Sequence, residues 1–286
     1  MRRPPYRRSP DNDSITMTES DNAFSLAGRQ ALVTGGTQGV GAAIARAVAR
    51  AGADVIVVGV RDDASAQEVL DDIRRHGRQG ELLVADLSQP PQRYVDDILA
   101  AALDRFPDLG LLVNNVGTYI DRPFLEMDWS TYQTTMNLNV ACGYFLTQAF
   151  ARHWITKGIE GRVVFTGSIN GMLAEADHTA YDTSKGAVAA MVRSLCVALA
   201  PHGIRVNSMA PGLVRTPLTG PALDQNRLQE WMELHTPNGR VPDADVCGDA
   251  VVFLLSHAAR HVHGQTMLVD GGMSVWQQPD PPSQFG

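Results

Sequence analysis

The sequence predicts an α/β fold: a doubly wound, parallel, seven-stranded sheet with helices on both faces. Three observations predict it. Apolar runs of strand length recur at 31–33, 55–58, 82–84, 111–113, 163–165, 204–206 and 266–269. The segments between them carry mostly helical patterning, and strands that alternate with helices pair in parallel and need cover on both faces. The first run leads through a glycine-rich turn, Thr34-Gly35-Gly36-Thr37-Gln38-Gly39-Val40-Gly41, into an alanine-rich helix.

In chain order, each element has a physical reason. Glycines at the first turn let the backbone fold tightly and approach a pyrophosphate, whose charge sits over the free amides of the helix start. Gly35, Thr37, Gln38, Gly39, Val40 and Gly41 are therefore candidate dinucleotide contacts. The second strand, Val55–Val58, ends at Gly59, Val60 and Arg61. The run Arg162–Gly167 reads as a buried strand that delivers Ser168 at its carboxyl end, where ligands bind in open α/β sheets. Tyr181 and Lys185 stand four apart and share one helix face. A phenol titrates near pH 10 in water and a neighbouring cation favours its phenolate, so Tyr181 is the candidate proton donor and Lys185 the cation that depresses its pKa. From Val188 to Leu199 the same helix continues with a wide apolar stripe, which fits core packing or a partner helix.

Composition sets further bounds. A chain of 286 residues suits one large domain, expected over 26–274, with an N-terminal extension over 1–25 and a tail over 275–286. Arg2, Arg3, Arg7 and Arg8 are followed by acidic residues and by no apolar core of a secretory signal, so the extension reads as a solvated tail. A net charge of −7 argues against a nucleic-acid partner and for a small-molecule substrate. Three cysteines, Cys142, Cys196 and Cys247, form no metal-binding spacing and point to reduced thiols in the cytoplasm. No metal is expected, since His261 and His263 lack an evident third ligand. No apolar stretch is expected to reach the roughly 20 residues that span a bilayer.

With these motifs in this order, the chain resembles the classical short-chain dehydrogenase/reductase family over about 26–274, a Rossmann-type fold. The glycine turn is similar to its TGxxxGxG cofactor loop, Asn114-Asn115-Val116-Gly117 to its NNAG motif with Val for Ala, and Asp86-Leu87 to its adenine-contacting pair. Asn139, Ser168, Tyr181 and Lys185 match its catalytic tetrad. Pro211, Gly212, Val214 and Thr216 resemble the segment over the nicotinamide, and Val269-Asp270-Gly271-Gly272 the closing strand and turn.

The resemblance implies an NAD(P)-dependent oxidoreductase that interconverts a secondary alcohol and a ketone. Tyr181 would serve as general acid and base, Ser168 would hold the reacting oxygen, Lys185 would also bind the nicotinamide ribose, and the Asn139 amide would hold a relay water. Gly59 stands where NAD enzymes place an acid, and Arg61 offers a guanidinium to a 2′-phosphate, which favours NADP; Gln38 and Asp62 leave NAD possible. A substrate lid is implied over about 213–240, with Asp224, Arg227, Glu230, Trp231, Met232 and His235, and a homotetramer, or a homodimer, through the Asn139 and Tyr181 helices. Two alternatives stand beside this reading. One is reduction of a 3-oxoacyl thioester on acyl carrier protein, with Arg152 and Lys157 as entrance cations if the fold brings them there. The other is a non-catalytic NAD(P)-binding sensor or scaffold. Asp177 and His178, just before Tyr181, are candidate substrate contacts or an exposed loop pair.

Overall fold

The computed structural model describes residues 22–225 and 227–276. The arginine-rich segment and the tail from residue 277 lie outside the described residues. The chain order is β1 (Gln30–Thr34), α1 (Gly39–Arg50), β2 (Asp54–Gly59), α2 (Ala64–Arg75), β3 (Gly80–Val84), α3 (Val95–Arg105), β4 (Leu111–Asn114), α4 (Trp129–Met136), α5 (Cys142–Lys157), β5 (Arg162–Thr166), α6 (Thr179–Leu199), β6 (Arg205–Pro211), α7 (Gly220–Leu223), α8 (Leu228–Leu234), α9 (Val246–Leu255) and β7 (Thr266–Val269). The strands form one sheet in the order β3-β2-β1-β4-β5-β6-β7, and every pairing is parallel. All seven expected strands are present. β6 runs on from the expected 204–206 to Pro211, which sits at the strand end.

Successive strand residues point to opposite faces, and the core divides accordingly. Val33, Val55, Val57, Leu111, Val113 and Val164 pack on one side with α1, α2 and α9. Leu32, Ile56, Val58, Leu112, Val163 and Phe165 pack on the other with α3, α5 and α6. The alanines of α1 have a packing purpose: a Cβ on Gly248 of α9 would stand 2.6 Å from Ala47 Cβ, so the two helices meet at small residues. The order reverses between β1 and β4, which opens a crevice at the carboxyl ends of these strands.

One expectation from the sequence needs correction. The helix over 179–202 is long and apolar enough by length and hydropathy to cross a bilayer. Its place in the fold accounts for part of the composition: Val188, Met191 and Val192 are buried against the sheet, whereas Leu195, Cys196 and Leu199 are only partly covered.

Trp154, at the end of α5, is fully buried, and its Nε1 donates to Leu109 O at 2.7 Å. Gly161 lies flat against it, since a Cβ there would fall 2.1 Å from the indole Cε3. Gly161→Ala is expected to cost about 1–3 kcal/mol through overpacking. Thermal unfolding checks this, with Tm falling by about 2–4 °C per kcal/mol.

Candidate active site

The crevice is a single cleft of about 830 Å³. One arm is built on the turn between β1 and α1. Gly35 and Gly39 have φ of +63° and +54°, a region that side chains disfavour. A Cβ on Gly41 would land 2.0 Å from Gly35 O and 2.4 Å from Asn115 Nδ2, so the first turn of α1 touches the loop backbone directly.

Three buried or half-buried polar side chains hold this rim in shape. Thr34 Oγ1 accepts from the amides of Asn115 (2.9 Å) and Val116 (3.1 Å). Asn115 Nδ2 donates to Thr34 O (3.1 Å) and Gly35 O (3.3 Å), while its Oδ1 accepts from Thr166 Oγ1 at 3.0 Å. The ends of β1, β4 and β5 are thus stitched together by bonds that leave few buried polar atoms unpaired.

Further along this arm, a Cβ on Gly59 would sit 2.5 Å from Thr37 Cγ2, so the β2 terminus has no room for an acidic side chain while Thr37 stays in place. Arg61 is exposed and makes no ion pair among the described residues; Asp62 instead accepts from Gln67 Nε2 at 2.6 Å. Asp86 is held below the usual carboxylate range by hydrogen bonds from the Ser88 hydroxyl and amide and from Gln89. Leu87 borders the cleft but is largely buried in the core. Pro211, Gly212, Val214 and Thr216 pass over the loop, and a Cβ on Gly39 would lie 3.5 Å from Thr216 Cβ.

The other arm holds Ser168, Tyr181 and Lys185. Ser168 follows β5 in extended conformation, and its Oγ accepts from Asn170 N at 3.1 Å. Tyr181 and Lys185 face the cleft from the first turns of α6. Burial pushes the Tyr181 phenol up from its ordinary value, hydrogen bonding with Ser168 pulls it down, and Asp182, Glu175 and Tyr119 push it up. Burial also lowers Lys185, to about 8. Lys185 Nζ stands 5.5 Å from the Tyr181 ring centre and donates to Thr166 O at 2.9 Å. In the chain alone burial outweighs the depression expected from Lys185, whose ammonium is anchored on the Thr166 carbonyl and at about 8 still carries its charge at neutral pH.

Asn139 sits where α4 and α5 are joined by a π-helical turn, Asn137–Ala141. Such turns insert one residue into a helix and recur at functional sites. Its Nδ2 donates to Thr118 O (2.8 Å) and Ser184 Oγ (2.9 Å), and its Oδ1 accepts from Thr118 N at 2.8 Å. Both amide protons are taken, so the expected amide-held relay water lacks a free donor on this side chain.

Of the catalytic and cofactor-contact residues expected from the sequence, all border the cleft except Asn139, which lies behind its wall, and Arg61, outside its rim. Of the pair before Tyr181, His178 lines the cleft and Asp177 is exposed, its carbonyl accepting from Arg122 N. In the expected lid region, Trp231 and Met232 reach the cleft, whereas Asp224 pairs with Arg215 and Arg227 with Glu230. Arg152 and Lys157 fall near the end of α5, which leads into the amino end of β5, opposite the carboxyl strand ends where the cleft opens, so they are not entrance cations. Asn170 and Tyr119 escaped the sequence reading; only the placement of Asn170 two residues after Ser168 hinted at it. Among the described residues no His, Cys, Asp and Glu cluster is arranged to hold a metal.

A parallel doubly wound sheet, a glycine cradle at the switch point and a Ser, Tyr and Lys converging on one cleft define a dinucleotide-dependent oxidoreductase. A family model described as enoyl-(acyl carrier protein) reductase matches residues 35–274. The chain is 33% identical to an L-rhamnose 1-dehydrogenase (NAD(P)(+)) of Sphingomonas sp. (strain SKA58), over 87% of this chain and 98% of that one. It is 32% identical to gluconate 5-dehydrogenase of Gluconobacter oxydans, over 88% and 97%. A crystal structure of a putative NAD(P) dependent gluconate 5-dehydrogenase from Beutenbergia cavernae with bound NADP superposes with a TM-score of 0.83 at 33% identity, covering 89% of this chain and 100% of that one. The chain belongs to the short-chain dehydrogenase/reductase family and is an enzyme of the class acting on CH–OH with NAD(P)+.

Proposed function

We propose that the protein is an NADP-favouring dehydrogenase that interconverts a secondary alcohol and a ketone within the domain over 26–274, with Tyr181 as its general acid and base. The observation that carries this reading is the meeting of Ser168, Tyr181 and Lys185 in one arm of the cleft that the glycine cradle opens into. A cofactor fits that cradle, since Gly35 and Gly41 have no room for a side chain and the positive φ of Gly39 disfavours one, which leaves bare backbone at the start of α1. Gly35, Thr37 to Gly41, Asp86, Leu87, Asn115 to Gly117, Pro211, Gly212, Val214 and Thr216 would hold it, and when bound its nicotinamide supplies or receives the hydride.

The remaining work falls to the chain. In reduction, Tyr181 gives its phenol proton to the carbonyl oxygen; in oxidation, its phenolate takes the alcohol proton. Ser168 holds the same oxygen by a hydrogen bond that strengthens as charge develops. Lys185 holds the ribose and, when protonated, favours the phenolate. Asn139 acts as a positioning residue through Thr118 and Ser184. The segment over about 213–240 serves as the lid, bringing Trp231 and Met232 over the substrate and excluding water. Exposed apolar residues on α5 and α6, among them Tyr144, Phe145 and Val197, support a homotetramer, and free cysteines support a cytoplasmic setting.

The test is absorbance-followed oxidation of NADPH and NADH over ketoses, small ketones and 3-oxoacyl thioesters. Turnover confined to the thioesters would replace the sugar or polyol reading with acyl reduction. Tight cofactor binding without any turnover would favour a sensor.

Two further outcomes are expected. Because nothing among the described residues pairs with Arg61, Arg61→Ala should raise KM for NADP about 10-fold or more and leave KM for NAD nearly unchanged, the loss of a charged hydrogen bond. Steady-state kinetics with each cofactor reads this. Because burial raises the Tyr181 pKa, the phenol stays protonated through neutral pH. Reduction should accordingly be flat there, while oxidation, which needs the phenolate, should climb about tenfold per pH unit on the acid side of that pKa. An oxidation rate that is already level at pH 7 would contradict the raised phenol.

A further inference from the structure

The reactive arm of the cleft carries an ion cluster whose placement bears on the substrate. His178, one turn before Tyr181, directs Nε2 to Asp121 Oδ1 at 2.6 Å and Nδ1 toward Glu175 Oε2 at 3.4 Å. Its ring stands 6.0 Å from that of Tyr181 and 5.6 Å from that of Tyr119. Glu175 is braced to the reactive serine, because Asn170 donates through Nδ2 to Glu175 Oε1 (3.2 Å) and through its amide to Ser168 Oγ (3.1 Å). The same Nδ2 donates to Asp182 at 2.8 Å.

We infer that Asp121, His178 and Glu175 form a specificity wall that selects an uncharged, polyhydroxylated substrate, an aldose or a polyol, over the corresponding aldonate. The inference rests on the hydride-transfer function proposed above. Its first support is charge. The charged residues lining this arm are Asp121, Glu175, His178 and Lys185, and two carboxylates cancel two cations. His178 is lifted to about 9, first by the neighbouring Glu175 carboxylate, with burial opposing and Asp121 adding to the rise, so it carries its charge through neutral pH. A balanced site asks for no counter-charge from its ligand.

The second support is which groups face outward. The His178 side chain is 19% exposed, against 60% for Asp121 and 62% for Glu175, and Lys185 is buried on Thr166 O. The cations are covered and the carboxylate oxygens are presented. These oxygens accept hydrogen bonds from hydroxyl groups and repel a carboxylate, and a like-charge meeting in such a cleft is costly. The nearby arginines cannot compensate, since Arg122 is held by Asp128 at 2.7 Å and Arg215 by Asp224 at 2.9 Å. The opposite side, with Leu218, Leu223, Leu228, Trp231 and Met232, offers apolar cover for the C–H face of a sugar.

Calorimetric titration of the NADP-loaded Tyr181→Phe enzyme with an aldose, its aldonate and its 2-amino sugar tests the wall without requiring turnover. The aldose should bind about tenfold or more tighter than the aldonate, about 1.4 kcal/mol. The double variant Asp121→Asn with Glu175→Gln should move that ratio at least about fivefold toward the aldonate. An aldonate that binds as tightly as the aldose, an amino sugar that binds no more tightly than the aldonate, no binding by any of the three, or a ratio unmoved in a folded double variant would overturn the inference. If the binding order holds while the wild type turns over no alcohol or ketone, the selective wall stands and the proposed catalytic function fails.

Discussion

Tyr181→Phe is expected to cut kcat by about 10²–10⁴-fold, the range that general acid–base catalysis supplies. The Tyr181 ring meets Tyr119 edge-on at 6.1 Å and His178 at 6.0 Å, contacts in which the ring itself stays in place when only its oxygen is removed. Cofactor affinity should therefore persist, because Lys185 is held on Thr166 O by β5 geometry and not by the phenol. Stopped-flow reduction with prebound NADPH separates the two quantities. Retention of more than a tenth of the wild-type rate in the variant would assign proton transfer to another group, and His178, one helical turn away, would be the first to examine.

Gly41→Ala is expected to abolish productive cofactor binding, with Kd for NADPH weakened by about 100-fold or more, equivalent to about 2.7 kcal/mol. The added carbon would stand 2.0 Å from Gly35 O, a backbone atom, and 2.4 Å from Asn115 Nδ2. Neither can yield cheaply, since Asn115 is bonded to Thr34, Gly35 and Thr166 together. Loop and helix must part, and the amides that face the phosphates go with them. Gly158→Ala is the control: its φ of +70° also disfavours a side chain, but nothing lies within 4 Å of the new carbon. That variant should lose stability and keep NADPH affinity, as fluorescence titration and thermal unfolding would report. Equal loss of affinity in both would mean that general destabilisation, and not contact at the loop, explains the effect.

Much of this architecture was legible in the residues because it rests on local pattern. Val55–Val58 and Val163–Phe165 are short apolar runs bounded by turn residues, and each became a central strand. The glycine loop was legible for the same reason, as consecutive residues meeting one backbone demand. What pattern could not show was competition for hydrogen bonds in three dimensions. Asn139 was placed correctly on the helical segment before α5, but its commitment to Thr118 depends on a loop 21 residues away in sequence. The net shift of Tyr181 was hidden for a related reason: four-residue spacing indicates a shared face, whereas the burial of the pair and the hold of the Thr166 carbonyl on Lys185 come from the packed fold. His178 was half legible. Its position before Tyr181 suggested the cleft, but Asp121, which pairs with its Nε2, comes from another loop.

The π-helical turn at Asn137–Ala141 carries a consequence for how this chain can vary in length. In an uninterrupted helix one extra residue would turn everything after it by about 100°, and the wide turn absorbs that residue locally. Asn139 lies within the wide turn and faces Thr118, while Leu146, Phe150 and Trp154 enter the core beyond it. Deleting a single residue anywhere from 137 to 141 would regularise the helix, leave those three side chains in the interior and withdraw the offset that sets Asn139 against Thr118. The spacing between site and core is thus a counted quantity, and the segment tolerates exchange of residues far better than loss of one.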